Sequence, residues 1–125
     1  MRPVGIYREM YEGRRSELPA LSDAVAGFEI ADRERVLDYM RAAPGIFDVL
    51  DVVTDLVDNI DQIMSASSLV SDGTWIWRVD SIHYLGKYDL EIPADFLHHV
   101  RRSEYSPPAS IEFTSAVNEA IARYF

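Results

Sequence analysis

The sequence predicts an α+β fold, in which residues 1–125 form one mostly helical domain with a Trp-bearing β-hairpin packed on the helices. Two patterns favour this class. Apolar residues recur every three or four positions through most of the chain, which is typical of amphipathic helices. Residues 71–74 read Ser-Asp-Gly-Thr between two apolar runs, and Asp-Gly tolerates the positive φ values of a tight hairpin turn. A chain of 125 residues that is 48% hydrophobic can bury one substantial core.

The first segments predict short elements and then one clear helix. Residues 4–13 are expected to form a short helix or an extended arm, and residues 22–28 a helical turn that ends at Phe28. Asp32 is expected to cap the next helix, which stops before Pro44-Gly45. Its expected inward side chains are Val36, Leu37, Tyr39 and Met40.

The stretch from Ile46 to Gln62 is expected to be the central helix of the domain. Its apolar residues recur at helical spacing, and its aspartates follow one another at intervals of three or four residues, which places them on one helical stripe. The stripe consists of Asp48, Asp51, Asp55 and Asp58, and Asp61 continues it. Because like charges oppose this helix, we expect it to form only when its apolar face packs against the preceding helix.

A buried strand is the alternative for the same stretch. Its valines are β-branched and suit a strand: Val49, Val52, Val53 and Val57. Strand alternation would, however, mix aspartates with apolar residues on both faces and leave no clean apolar side. The helix is therefore the favoured interpretation.

The second half of the chain predicts a hairpin followed by three helices. A two-residue loop at Asp72-Gly73 would pair Val70 with Trp75, Ser68 with Trp77 and Leu69 with Ile76. Asp80 is expected to cap a helix that runs to about Lys87. Pro93 suits the first turn of the next helix, whose inward residues are Phe96, Leu97 and Val100. The last helix is expected within Ser110–Phe125, with Ile111, Val117, Ile121 and Tyr124 inward.

The distribution of charge excludes some classes of function and favours others. The net charge is −9, and residues 42–77 contain no Lys or Arg. A nucleic-acid-binding role is disfavoured, because a basic stripe with interleaved aromatic residues is missing from the sequence. An acidic face suits a basic protein partner, or serves solubility alone. With no cysteine and no apolar run of membrane-spanning length, we expect a cytoplasmic protein without a membrane partner.

Residues 72–101 read DGTWIWRVDSIHYLGKYDLEIPADFLHHVR. This string resembles small actinobacterial proteins of unknown function that share an approximate DG-x-W-x-W motif, an aromatic helix and a Leu-Pro-x-x-Phe-x-x-His segment. IYREMYEG from Ile6, PALSDAV from Pro19 and RVLDYMRAAP from Arg35 resemble earlier segments of that group. The resemblance covers most of the chain and implies no activity. In size and acidity, the group is similar to immunity proteins of bacterial toxin systems.

Six side chains are the candidates for partner binding: Asp48, Asp51, Asp55, Asp58, Trp75 and Trp77. The aspartates would steer a basic partner, and exposed indoles would supply apolar anchors. A solvated helix face is the plainer interpretation of the aspartates, and a core role is the plainer one for the indoles. A calcium site is disfavoured, because one helix face cannot wrap an ion with six or more oxygens.

The remaining polar residues predict neither a metal site nor a catalytic centre. His83, His98 and His99 lack the spacing of zinc ligands. Asp80 with His83, or Asp95 with His99, could be an acid–base pair, and surface hydrogen bonding is the simpler expectation. G-x-S-x-G, P-loop and G-x-G-x-x-G motifs are missing. No catalytic residue and no cofactor are therefore predicted.

The sequence as a whole favours a non-enzymatic, acidic protein-binding domain, of the immunity type or otherwise directed at a basic partner. Charge reversal at Asp51 and Asp55 is expected to weaken that association. One alternative is a small-molecule-binding domain or enzyme with a pocket formed by Trp75, Trp77, Tyr84 and His83. Another alternative is a self-associating subunit, so either a monomer or a homodimer is expected.

Overall fold

The computed structural model describes residues 1–26 and 29–125, and it has a mixed α+β fold. Helices account for 37% of the chain and strands for 16%. The α+β class is therefore confirmed, whereas the expectation of a mostly helical domain is not. The predicted end of the early turn at Phe28 lies outside the described residues.

Five of the strands follow one another along the chain between the first and the second α-helix. The α-helices of the described ranges are α1 (Arg33–Ala42), α2 (Val79–Lys87), α3 (Ala94–Arg102) and α4 (Ser115–Tyr124). The strands are β1 (Arg2–Pro3), β2 (Gly45–Phe47), β3 (Val52–Thr54), β4 (Gln62–Met64), β5 (Leu69–Ser71) and β6 (Trp75–Arg78). Two 3-10 helices, Arg8–Tyr11 and Leu21–Ala24, precede α1. No helix among these has the length and apolar character that crossing a bilayer requires.

Four of the strands form one sheet in the order β1-β6-β5-β2, with β1 parallel to β6 and the other neighbours antiparallel. In the pair of β5 and β6, Val70 lies opposite Trp77 and Ser71 opposite Ile76. This register contradicts the predicted pairings, which were Val70 with Trp75, Ser68 with Trp77 and Leu69 with Ile76. Three residues connect the strands, and the carboxylate of Asp72 accepts a hydrogen bond from the backbone N–H of Trp75 at 2.7 Å.

The predicted helix over residues 46–62 is wrong, because this stretch contains most of β2, all of β3 and the first residue of β4. The side chains of its aspartates form local turns. The Oδ1 atom of Asp55 accepts hydrogen bonds from the backbone N–H groups of Val57 and Asp58, at 2.7 and 3.1 Å. Oδ1 of Asp58 does the same for Ile60 and Asp61, at 2.8 and 3.2 Å. Asp side chains compete in this way with the helical hydrogen bonds of the backbone.

The two faces of the four-stranded sheet bury different cores, as strand alternation requires. On one face, Trp75 and Trp77 pack against α1, α2 and α3. On the other face, Leu69 and Ile76 pack against residues of α4. The α4 side chains of this second core are Val117, Ala120 and Tyr124. The sheet is thus covered by helices on both sides, and β3 and β4 pair apart from it.

Candidate functional site

The segment of residues 48–64, called here the acidic ribbon, forms a small sheet of its own. Strands β3 and β4 pair in antiparallel register, with Val52 opposite Met64 and Val53 opposite Ile63. Val53 and Ile63 turn toward the core, whereas Val52 and Met64 are exposed. The acidic ribbon therefore has one apolar pair directed inward and a second one directed at solvent.

Large apolar side chains are concentrated on the surface of the acidic ribbon. Leu50 is 98% exposed and Ile60 is 75% exposed. Of the ten exposed large hydrophobic residues in the described part of the chain, six lie here: Leu50, Val52, Leu56, Val57, Ile60 and Met64. Single exposed apolar residues are common, but a concentration of them marks an interaction surface.

The fold holds the acidic ribbon against α2 through a buried carboxylate. The Oδ2 atom of Asp55 lies 2.6 Å from Nε2 of His83, and the hydroxyl of Tyr88 donates to the same carboxylate at 3.0 Å. Burial works to raise the pKa of Asp55. The effect of burial is outweighed by the hydrogen bonds that this carboxylate makes with His83, with the backbone N–H groups of Val57 and Asp58, and with Tyr88. Together these bonds lower the pKa of Asp55 to about 2. Asp55 is thus a buried anion that its neighbours keep ionised.

Further contacts join the same two elements. The ammonium of Lys87 donates to the carboxylates of Asp58 and of Asp61, the latter at 2.6 Å. The hydroxyl oxygen of Tyr84 accepts a hydrogen bond from the backbone N–H of Leu56 at 2.9 Å. The side chains of this Asp55 cluster are Asp55, Asp58, Asp61, His83, Lys87 and Tyr88. The cluster fixes the connection between β3 and β4 on helix α2.

The Asp55 cluster also contains atoms of the type that bind metal ions. One ligand atom from each of Asp55, Asp61 and His83 lies within 4.8 Å of the other two. The Lys87 ammonium already bonds to Asp61 and lies 3.9 Å from Oδ2 of Asp55. An ion at this place would compete with a tethered positive charge, so the geometry favours an ion-pair network that stabilises the fold.

The four aspartates predicted to bind a partner do not share one helical stripe. Asp48 is exposed, whereas Asp55 is fully buried. Asp51 accepts a hydrogen bond from the hydroxyl of Ser67, and Asp58 pairs with Lys87. Within residues 1–26 and 29–125, the stripe is therefore corrected to one exposed carboxylate, that of Asp48, and three carboxylates that hold local structure.

The expectation of exposed indoles is also corrected, because Trp75 and Trp77 are both buried. Their rings lie edge-on to Phe96, with centroid distances of 5.2 and 5.7 Å. The indole N–H of Trp77 donates to the carbonyl oxygen of Met40 at 3.3 Å. Tyr84 is buried with them. The alternative pocket at these aromatic residues is therefore filled by the core itself.

Both predicted Asp–His pairs have other partners in the structure. His83 contacts Asp55, and Asp80 forms a buried bidentate ion pair with Arg78, both contacts at 2.9 Å. His99 lies 2.9 Å from the carboxylate of Asp72. Burial raises the pKa of Asp80 to about 6 against the opposing effect of Arg78. The contacts of His83 with Asp55 and of His99 with Asp72 join distant segments, which spacing along one helix does not reveal.

Two adjoining clefts lie beside the acidic ribbon, and the sequence does not reveal them. An apolar cleft of about 450 Å³ is lined by Glu9, Leu21, Ser22, Val25, Leu56, Val57, Tyr88 and Leu90. A charged cleft of about 280 Å³ is lined by Glu9, Met10, Glu12, Arg14, Asp51, Val53, Leu56, Ser67, Arg78 and Asp80. Glu9 and Leu56 belong to both, so the clefts share a wall.

No family model, curated protein or solved structure matches this chain. The resemblance to small actinobacterial proteins and to immunity proteins therefore stays a prediction.

Proposed function

We propose that this protein is a non-enzymatic binding domain that docks a basic protein partner on its acidic ribbon. Neutralisation of a basic toxin, as immunity proteins perform it, is one form of that role. The observation that carries the proposal is the exposure of six large apolar side chains in a segment that has five aspartates and no Lys or Arg.

The apolar side chains would supply most of the affinity. Full burial of a side chain such as Leu50, Ile60 or Met64 contributes about 1.5–3 kcal/mol. A few such residues at the centre of an interface usually dominate its binding energy. They replace the indoles as the predicted anchors, because the indoles lie in the core.

The carboxylates would supply attraction at a distance and discrimination between partners. The acidic ribbon keeps a negative excess after Lys87 is counted against its five aspartates. Such a field raises the association rate of a basic protein and repels acidic ones, and salt weakens both effects. Because the Asp55 cluster fixes the ribbon before a partner arrives, little conformational entropy would be lost on binding.

Affinity co-purification from the native host's lysate at low salt tests this proposal. The baits are the wild-type protein and the variants Asp48→Lys and Leu50→Ser, both at exposed positions. Reversal at Asp51 or Asp55 is unsuitable, since both carboxylates hold local structure. We expect a basic protein to elute with a salt step from the wild type and to be depleted from both variants. Equal recovery on all three folded baits contradicts the proposal.

An exposed apolar surface would also allow the protein to self-associate, which is the alternative to binding a basic partner. Two acidic ribbons facing each other would bring together aspartates of like charge, which opposes a symmetric dimer at low salt. Light scattering on the purified protein at low and high salt distinguishes the two cases. A dimer at low salt that Leu50→Ser dissociates would favour the self-associating subunit over the basic partner.

A further inference from the structure

The apolar cleft and the charged cleft beside the acidic ribbon meet at Glu9 and Leu56. We infer that they form one groove, which receives a segment of the basic partner carrying a large apolar side chain close to an arginine or lysine. This inference rests on the proposed function, and it names the kind of sequence that the partner presents.

The walls of the apolar cleft suit an apolar side chain. They are aliphatic on most sides, and the ring of Tyr88 is fixed by the hydrogen bond of its hydroxyl to Asp55. Val25, Leu56 and Val57 are among the large apolar residues that the fold leaves exposed. The cleft volume of about 450 Å³ falls in the range of about 300–1,000 Å³ that is usual for ligand pockets. A side chain placed there would cover apolar surface that no described part of the chain covers.

The charged cleft suits a cation. Arg78 and Asp80 neutralise each other through their bidentate contact. The other charged residues among the described lining are three acids and one base: Glu9, Glu12, Asp51 and Arg14. A guanidinium or ammonium is therefore favoured in this cleft, and an acidic group is disfavoured.

Glu9 stands at the junction in a fixed orientation. Both of its carboxylate oxygens lie 3.0 Å from the backbone N–H of Leu21, which donates to them. In the apolar cleft, Glu9 is the single charged residue of the described lining. A cation on the partner would thus meet Glu9 while the adjacent apolar side chain fills the neighbouring cleft. This arrangement favours a partner segment in which the two residue types are near neighbours.

The experiment titrates short peptides into the ¹⁵N-labelled protein at low salt and follows the backbone amide signals. The probes are acetylated and amidated Gly-Arg-Leu-Phe-Arg-Gly, its Arg-Ala-Ala-Arg analogue and its Gln-Leu-Phe-Gln analogue. We expect the first peptide to shift the signals of Leu21, Leu56 and Val57. It should bind about tenfold or more tightly than either analogue, since each analogue lacks one of the two contacts.

Two valines provide a matched control for the place of binding. Val57, which is 51% exposed, lines the apolar cleft, whereas Val52, which is 53% exposed, lies on the outer face of β3. Val57→Ser is expected to weaken binding of the first peptide severalfold. Val52→Ser should leave the affinity for this short peptide unchanged, because Val52 lines neither cleft, even though it belongs to the ribbon surface proposed to dock the whole partner. Glu9→Gln should weaken the same peptide and leave the Gln-Leu-Phe-Gln analogue unaffected.

Several outcomes overturn the groove. In the first, Val57→Ser and Val52→Ser change the affinity for the first peptide equally. In the second, the Gln-Leu-Phe-Gln analogue binds as tightly as the first peptide. In the third, the amide signals of the groove residues do not shift at millimolar peptide. The co-purification separates this failure from a failure of the proposed function. If Val57→Ser captures the basic protein as well as the wild type while Leu50→Ser does not, the partner docks on the ribbon and the groove is wrong.

Discussion

The carboxylate of Asp55 and the imidazole of His83 lie 2.6 Å apart, and this contact joins the acidic ribbon to helix α2 across 28 residues of sequence. Asp55 also accepts hydrogen bonds from Tyr88, which directly follows the same helix, and from two backbone N–H groups of its own loop. One buried side chain therefore fixes both the shape of the loop and its place on the domain. The exposed apolar residues of the acidic ribbon are presented in a defined arrangement for this reason.

Asp55→Asn is expected to lower the free energy of unfolding by about 1–3 kcal/mol, because it removes the charge from hydrogen bonds at a buried site. Urea denaturation followed by circular dichroism measures the change. Asp48→Asn is the control, since Asp48 is exposed, and its effect should stay within about 0.5 kcal/mol. Similar stabilities for the two variants would contradict the structural role of Asp55.

The stability that Asp55 contributes is expected to disappear in acid. Its pKa is lowered from 3.8 to about 2 in the folded protein, so the folded state binds fewer protons at this site than the unfolded state. The contribution is present above about pH 4 and is lost as the pH falls through 2. We therefore expect the difference between wild type and Asp55→Asn to narrow from pH 5 to pH 3.

The midpoint of urea unfolding, measured for both proteins at every half pH unit from pH 5 to pH 3, checks the sign of this change in stability. Asp80 has the opposite effect on stability, because burial raises its pKa to about 6 and the free energy of unfolding therefore falls as the pH rises from 4 through 6. This effect does not disturb the comparison of wild type with Asp55→Asn. Asp80 is present in both proteins, so its effect cancels in the difference. If the difference in unfolding free energy between wild type and Asp55→Asn widened toward pH 3, the pKa of Asp55 would not be lowered in the folded protein.

Helices with one apolar face were predictable from the sequence. In α1, the predicted inward residues are buried, and the helix starts directly after Asp32 and ends before Pro44. In α3, Phe96 and Val100 are buried as the spacing predicts, and Pro93 immediately precedes the helix. Local rules suffice for the bounds of these helices, because periodicity and proline agree. The predicted side-chain cap at Asp32 is wrong, since its carboxylate bonds to Arg101 and caps no N–H group of α1.

The acidic ribbon was not predictable in the same way. Aspartates three or four residues apart fit a helical stripe, and they also fit consecutive turns in which each carboxylate accepts from N–H groups two and three residues later. The choice between the two depends on His83, Lys87 and Tyr88, which lie on another element. The two clefts likewise arise only when distant segments come together.

Asp80 illustrates a smaller error of the same kind. The sequence predicts Asp80 as the cap of α2, but the helix begins at Val79, and the Asp80 carboxylate pairs with Arg78 inside the protein. The predicted position of Asp80 at the start of α2 is nearly right, because the local sequence restricts where the helix begins. The partner of the side chain was not predictable, since burial of Arg78 depends on packing against the 3-10 helix at Arg8–Tyr11.

Phe96→Ala is expected to destabilise the fold by about 3–5 kcal/mol, because the ring lies between both indoles and the ring of Tyr39. Urea denaturation and the tryptophan emission maximum report the loss together. The matched control is Phe113→Ala, at an exposed position, with an expected effect within about 0.5 kcal/mol. If Phe96→Ala were as mild as the control, the two indoles would not share a core with Phe96.

Two isoleucines of the acidic ribbon separate stability from binding. Ile63 is buried against the core and Ile60 is exposed in the connection between the strands. Ile63→Ala is expected to cost about 2–5 kcal/mol of folding free energy, and Ile60→Ala less than about 0.5 kcal/mol. Ile60→Ala should nevertheless reduce retention on a hydrophobic-interaction column and deplete the captured basic protein. If Ile60→Ala instead destabilises the protein as much as Ile63→Ala, the exposed side chains of the acidic ribbon stabilise the fold. Their exposure would then give no support to their role in binding a partner.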